Sequence, residues 1–414
     1  MSLRDDLGVL RDRNFGWFFW SRFINTSGGA MATVALAFAV LGIDDSASAL
    51  GEVVAARSIP LVIFLLLGGV IADRFPRSAV LQFSNILTGL SQAAAAYLVI
   101  SGHAEIWMLI ALEAVNGSSM ALAMPAYQGL IPQLAPAGKL QQANVLLSMS
   151  RGALTIVGPS IAATLVVTVG AGWALAFDAL TWLVAATMLL PVRLPPREPD
   201  AGPPTTMIHE LREGWTFFRG TTWLWVVVVA FCFLNAIQTG VLQVLAPPYA
   251  KHTIGVTGWG LASSAESVGL FVMTLLLMRL TIRYPLRTGM LAISGLAVPM
   301  LVIGLTPHVV PIVLAFAVGG ATTEIFSLGW SLAMMENVPD QMMSRAWSYD
   351  SLGSFVAMPI GQLAVGPLAG VFGDRSVFLG SGVVYLVICL ATLSVPAVVT
   401  LQRAGAAGAA GSTA

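Results

Sequence analysis

Twelve apolar stretches, each about twenty residues or longer, constrain this chain more than any other feature. They fall at roughly 15–41, 50–72, 79–101, 105–126, 143–168, 173–193, 223–245, 257–278, 289–306, 311–335, 347–370 and 377–400. A helix needs about 20 residues to cross the hydrocarbon core of a bilayer. Backbone amides and carbonyls find no water there, so only helices and closed barrels can cross it. These stretches are too long and too uniformly apolar for barrel strands, whose side chains alternate in polarity. The expected fold class is an all-α membrane protein of twelve transmembrane helices.

Composition agrees with that reading. Of 414 residues, 57% are hydrophobic and 10% are charged, against about 25% charged in a soluble domain. A soluble enzyme is excluded on these grounds. Lys139 and Lys251 are the two lysines and form no basic patch, so nucleic acid is not an expected partner. Cys232 and Cys389 lie in separate apolar runs and read as small buried hydrophobes. The run from Phe15 to Leu41 is too long for the core of a signal peptide and reads as a first spanning helix.

Positive charge sets the orientation of such a chain. With the N-terminus in the cytoplasm, fifteen of the 20 Arg and Lys residues fall on inner segments. Lys251 and Arg375 fall on outer loops, and Arg22, Arg57 and Arg151 fall inside spans. A miscounted span would scramble this alternation. The expectation is a multi-pass protein of the cell membrane with both termini cytoplasmic.

The longest polar stretch, 194–220, carries Pro195, Pro196, Pro199, Pro203 and Pro204 and then an amphipathic run from Met207 to Phe218. It divides the chain into a six-helix bundle at 1–193, a cytoplasmic linker with an amphipathic helix at 194–220, and a second six-helix bundle at 221–402. The Gly/Ala-rich tail 403–414 reads as disordered. The halves repeat. At an offset of about 203 residues Tyr127 meets Trp330, Pro136 meets Pro339, Ser148 meets Ser351, Gly158 meets Gly361 and Gly170 meets Gly373. At a slightly larger offset Arg57-Ser58 meets Glu266-Ser267. This pattern fits two pseudo-symmetric bundles related by an axis along the membrane normal, with a substrate site between them.

Charges inside spans are costly in lipid and face a cavity or a partner. Glu113 lies near the middle of span four, and Glu324 lies near the middle of span ten, the matching helix of the other half. With Glu266 they are the candidates for binding and releasing a proton, because an acid in a low-dielectric cavity can titrate near neutral pH. Arg22, Glu52, Arg57, Arg151 and Asp178 are candidates for intramembrane charge pairs or gates, with Glu52 one and a half turns from Arg57. Between spans two and three, Gly69, Asp73, Arg74 and Arg77 form a tight charged turn. Asp73 can pair with arginine there, and Asp350 at the inner end of span eleven is placed to join the cluster as a conformational latch. No phosphate-binding loop is present, since Gly138-Lys139 is followed by Leu140 and lacks the upstream Gly. No nucleotide is therefore expected. His103, His209, His252 and His308 are scattered, so no metal site, cofactor or hydrolytic centre is expected.

The run Gly69, Asp73, Arg74 and Arg77 resembles the signature G-x-x-x-D-R-x-x-R-R/K of the major facilitator superfamily, with Ser78 in place of the last basic residue. The equivalent loop of the second half, Arg279 to Arg287, keeps three arginines and no Asp. Gly152, Gly158 and Pro159 resemble the antiporter signature of span five, with Ala162 and Ala163 standing for its last two glycines. Asn14-Phe15 with Ser21-Arg22, Pro125-Ala126 through Ala143-Asn144, and Phe177-Asp178-Ala179 extend the match. Together they are similar to the twelve-span drug:proton antiporter branch that includes macrolide and enterobactin exporters. The fold-level resemblance covers nearly the whole chain, and the branch-level resemblance rests on residues 14–193. It implies a monomeric secondary transporter, not an enzyme, that uses protons to export a hydrophobic small molecule such as a drug or secondary metabolite by alternating access. The alternatives are an importer (a symporter of the same fold) and a lipid-handling membrane protein.

Overall fold

In the computed structural model the apolar runs are helices: α1 (Arg13–Ile43), α2 (Ala47–Arg74), α3 (Arg77–Ser101), α4 (Ile106–Leu134), α5 (Leu140–Thr168) and α6 (Ala171–Leu189). The amphipathic run forms α7 (Met207–Gly220). Then follow α8 (Thr222–Thr253), α9 (Gly255–Leu277), α10 (Pro285–Leu305), α11 (Val309–Asn337), α12 (Asp340–Phe355), α13 (Met358–Phe372) and α14 (Asp374–Leu393). The structure describes residues 8–74, 76–136, 139–192, 207–280 and 282–402. The stretch 194–206 and the tail 403–414 lie outside the described residues, as do the side chains of Gly69, Asp73 and Arg74. Among the described residues, 12 helical spans are long and apolar enough to cross a membrane.

The fourth, seventh and eleventh spans depart from what hydropathy suggests, the fourth by continuing to Leu134. The seventh continues to Thr253, through Pro247 and Pro248. A proline lacks the amide that the carbonyl four residues earlier needs. The helix absorbs this by widening into a π-helical segment over Thr239–Leu245 just before the prolines. The eleventh span is two helices, α12 and α13. They break at Val356–Ala357, and Pro359 sits in the first turn of α13, where its missing amide is harmless.

The described residues divide into two compact units. One lies within Met1–Pro199 and Ala250–Ser264, the other within Asp200–Tyr249 and Ala265–Ala414. In the first unit α2 packs along α4, α3 along α4 and α6, and α1 along α5 and α6. In the second, α10 packs on α11 and α14, α8 on α12 and α13, and α7 on α12. At the α7–α12 interface Glu213 pairs with Arg345, and Trp215 and Phe218 pack against the Tyr349 ring.

Lipid gives no hydrophobic drive for one apolar helix to seek another, so close packing depends on small residues. Gly117 of α4 lies against the Arg57 carbonyl of α2, and Gly320 of α11 lies against the Glu266 carbonyl of α9. A Cβ on either glycine would overlap that carbonyl. The sequence repeat is therefore a repeat of crossings. Gly158 facing Ala30 and Gly361 facing Ala236 form a second such pair.

Gly170 and Gly373 open α6 and α14 with φ of 98° and 78° and extended ψ of 156° and 146°. That region is essentially reserved for glycine, and other residues there carry about 1–3 kcal/mol of strain. A Cβ at either position would meet open space, so backbone strain is the whole expected effect of adding one. Gly170→Ala and Gly373→Ala should each lower the thermal midpoint of the purified protein. Unchanged midpoints in both variants would show that the caps relax freely.

Candidate functional site

The α2–α4 crossing brings together a half-buried arginine and a buried glutamate. Arg57 Nε lies 4.0 Å from Glu113 Oε2, with the two side chains 34% and 1% exposed. Gly117, one turn beyond Glu113, is what lets α4 approach the Arg57 backbone closely enough for this pair. Glu113 Oε1 accepts from Asn116 Nδ2 at 3.0 Å and from Gln92 Nε2 of α3 at 3.5 Å. The Arg57 guanidinium also reaches Met120 Sδ at 3.9 Å. Three helices thus converge on one carboxyl.

Asp178 on α6 belongs to the same neighbourhood. Its side chain is fully buried and lies against Gly28 of α1, where any larger residue would collide with it. Its charge interacts with Arg57 and Glu113, and the Trp182 indole is its polar neighbour. Neither of its carboxyl oxygens meets a donor in hydrogen-bonding geometry among the described residues.

Along α2, Arg57 does not turn to Glu52. Five helical residues separate their directions by about 140°, so the two side chains leave opposite faces. Arg57 turns inward to Glu113, and Glu52 is exposed. Arg22 packs its guanidinium over the Tyr127 ring at 4.0 Å, and the exposed Arg151 faces it with like charge. Arg77 is half-buried in the first turn of α3.

In the second unit Glu324 accepts from Thr274 Oγ1 of α9 at 2.8 Å. Glu266 is half-buried at the α9–α11 crossing. Asp350 accepts from Trp330 Nε1 and Ser354 Oγ, both at 3.2 Å. Glu113 and Glu324 occupy matching helices at different heights. At the 203-residue offset Phe316 stands where Glu113 stands, and Glu324 lies eight residues further along α11. That is about 12 Å along a helix axis. The two acids are not repeats of each other.

Two groups of residues were invisible to hydropathy. The first is the set of buried amides Asn25, Asn85, Gln92 and Asn116. Their signal is the presence of amides inside apolar runs, where each needs an interhelical partner. The second is a charged cluster at the loop between α1 and α2. Lys251 Nζ donates to Asp45 Oδ1 at 2.9 Å and to the Leu41 carbonyl at 2.8 Å, and His252 Nε2 lies 2.8 Å from Asp45 Oδ2. Lys251 thereby satisfies a carbonyl in the last turn of α1 and complements its dipole.

The Lys251 ammonium holds the Asp45 carboxyl below the usual carboxylate range. A lowered value in the folded state means that the interaction stabilises above the ordinary carboxylate pKa. It is lost as pH falls through the lowered value. Asp45 is 42% exposed, so the pair is worth about 0.2–1 kcal/mol. Asp45→Asn should lower the melting midpoint slightly at neutral pH, and the gap to wild type should close in acid. A gap that stays constant with pH would rule out this charge interaction as its cause.

Twelve helices long and apolar enough to cross a membrane, with Glu113 and Asp178 buried and Arg57 half-buried among those of the first unit, are the frame of a multi-pass membrane transporter. The chain belongs to a family of the major facilitator superfamily described as transmembrane secretion effector, whose model matches residues 6–405. It is 26% identical over 413 residues to the multidrug efflux pump Tap of Mycobacterium tuberculosis, covering 95% of this chain and 97% of that one. It is 22% identical over 346 residues to macrolide efflux protein A of Streptococcus pyogenes, covering 80% of this chain and 83% of that one. A crystal structure of the nucleoside transporter NupG superposes with a TM-score of 0.70 at 12% identity, over 92% of this chain and 98% of that one. That likeness shows the shared fold.

Proposed function

We propose that this transporter is a monomeric secondary exporter that carries a hydrophobic small molecule out of the cell by alternating access, in exchange for protons. The observation that carries the direction of transport is the end-to-end similarity to a multidrug efflux pump, supported by the macrolide efflux relative. The proton drive is supported by the intramembrane acids Glu113, Glu266 and Glu324. A carrier must change the charge of a group exposed in turn to each side, and a buried carboxyl does this by gaining or losing one proton. The excess of arginine on alternate loops supports cytoplasmic termini. In the cytoplasmic loop between spans two and three, Gly69, Asp73, Arg74 and Arg77 serve as a latch of the inner face, with Asp350 as a partner. Gly152, Gly158 and Pro159 shape the fifth span for exchange.

The test is efflux of a fluorescent dye and of macrolides from cells with and without the protein, with and without a protonophore. Export should require the protein and stop when the proton gradient collapses. Glu113→Gln or Glu324→Gln should reduce efflux to the level of cells lacking the protein while leaving the amount in the membrane unchanged. Accumulation of label in place of efflux would reverse the direction. Efflux with wild-type pH dependence in both variants would remove these acids from the coupling.

A further inference from the structure

The helix α7 between the two halves turns a charged face away from the protein. Arg212, Trp215, Thr216 and Arg219 stand at positions i, i+3, i+4 and i+7, so they share one face within about 100° of arc. All four are exposed, Trp215 by 50%. Among the described residues no acid pairs with Arg212 or Arg219. The acid beside them, Glu213, points off this face and is engaged by Arg345.

The packed face fixes the depth at which this stripe stands. Gly214 lies against the Arg345 side chain and the Tyr349 ring, and a Cβ there would crowd that ring. Phe218 stacks on the same ring. Arg345 is the first residue of the eleventh span, and the seventh span starts at Thr222, directly after the end of α7 and Thr221. The flank and the C-terminal end of α7 are therefore both tied to points where the chain enters the membrane. That places the helix at the level of the lipid headgroups.

We propose that this face of α7 binds anionic phospholipid, with Arg212 and Arg219 each holding a phosphate and Trp215 seated between them at the top of the acyl chains. The side of the membrane follows from the cytoplasmic termini proposed above; the depth does not depend on them. The two arginines are about 10 Å apart along the helix axis, far enough to take separate phosphates. A guanidinium matches phosphate with two parallel N–H donors. An indole half out of the protein suits the interface, where its apolar ring and its N–H both find partners. Lipid phosphate surrounds a spanning protein at this depth, whereas an acidic protein partner would have to come from solution. An anionic lipid is preferred to a zwitterionic one because it brings no cation of its own to repel the arginines.

The experiment uses the full chain with Cys232→Ala and Thr216→Cys, so that one polarity-sensitive fluorophore sits between the two arginines. Cys389 is fully buried and out of reach of the reagent. The protein is placed in nanodiscs of phosphatidylcholine with rising phosphatidylglycerol. Emission should shift to the blue as phosphatidylglycerol increases, and molar sodium chloride should erase the shift by screening. An arginine at an anionic surface is worth about fivefold in affinity. Arg212→Gln and Arg219→Gln, both exposed substitutions that leave the packed face intact, should therefore each raise the mole fraction at half-maximal shift about fivefold. The double variant should lose the response. Three results would overturn the proposal. Emission stays water-like at every composition, which leaves the face open to a soluble partner; emission is equally blue in pure phosphatidylcholine, which makes the contact apolar alone; or the double variant responds like wild type.

Discussion

Gly117→Leu and Gly320→Leu should each leave almost no folded transporter to extract from the membrane. Overpacking a core usually costs about 1–3 kcal/mol because neighbouring side chains rotate away. Here the obstacle is backbone. A Cβ at residue 117 would overlap the Arg57 carbonyl, and one at residue 320 would overlap the Glu266 carbonyl. A carbonyl within a helix cannot turn aside without breaking its own hydrogen bond. The helices must therefore part along their length, and the packing at the crossing goes with them. Against a total stability of about 5–15 kcal/mol, that loss removes the native state. Gly29 and Gly380 have open space where a Cβ would go, so Gly29→Leu and Gly380→Leu serve as controls near wild-type yield. Size-exclusion profiles of the four variants fused to a fluorescent protein provide the readout. A monodisperse peak of wild-type height for Gly117→Leu would mean that α2 and α4 do not cross as described.

The second large effect belongs to Arg57→Leu. Glu113 and Asp178 then lose the guanidinium whose charge acts on both. Breaking a buried ion pair by removing one partner costs about 3–5 kcal/mol. A third of the Arg57 side chain is exposed, and a stranded carboxyl can take up a proton, so the lower end of that range applies. Loss of charge should be separable from loss of packing by a second substitution. Arg57→Leu with Glu113→Gln removes one of the two unbalanced acids and should recover part of the stability, although Asp178 remains without its arginine. Thermal unfolding of the single and double variants measures this as a coupling energy. If the double variant melts below Arg57→Leu, the charge argument fails.

Several candidate residues were visible in the sequence, and their partners were not. Glu113, Glu324 and Glu266 stand out because an acid inside an apolar run is expensive, which is a property of one segment. The partner of Arg57 depends on the rotation of α2 about its axis and on the glycine that admits α4. A scan along α2 finds Glu52, five residues away and on the wrong face. Gln92 and Asn116 carry no formal charge and add little polarity to their runs. They matter only because α3 and α4 turn them onto the same carboxyl. Lys251 and His252 look like ordinary loop charges until the end of α8 meets the loop before α2.

The bilayer judges each segment largely alone, by length, hydrophobicity and flanking charge. The number of spans, their helical form, the two-fold repeat and the family were for that reason fixed by the order of residues. Which helix faces which, and so which carboxyls share an arginine and which oxygens go without a donor, depends on side chains of segments far apart in the chain. Lipid treats all apolar helix faces alike, and so the small differences at glycine crossings settle those pairings only once the helices are together.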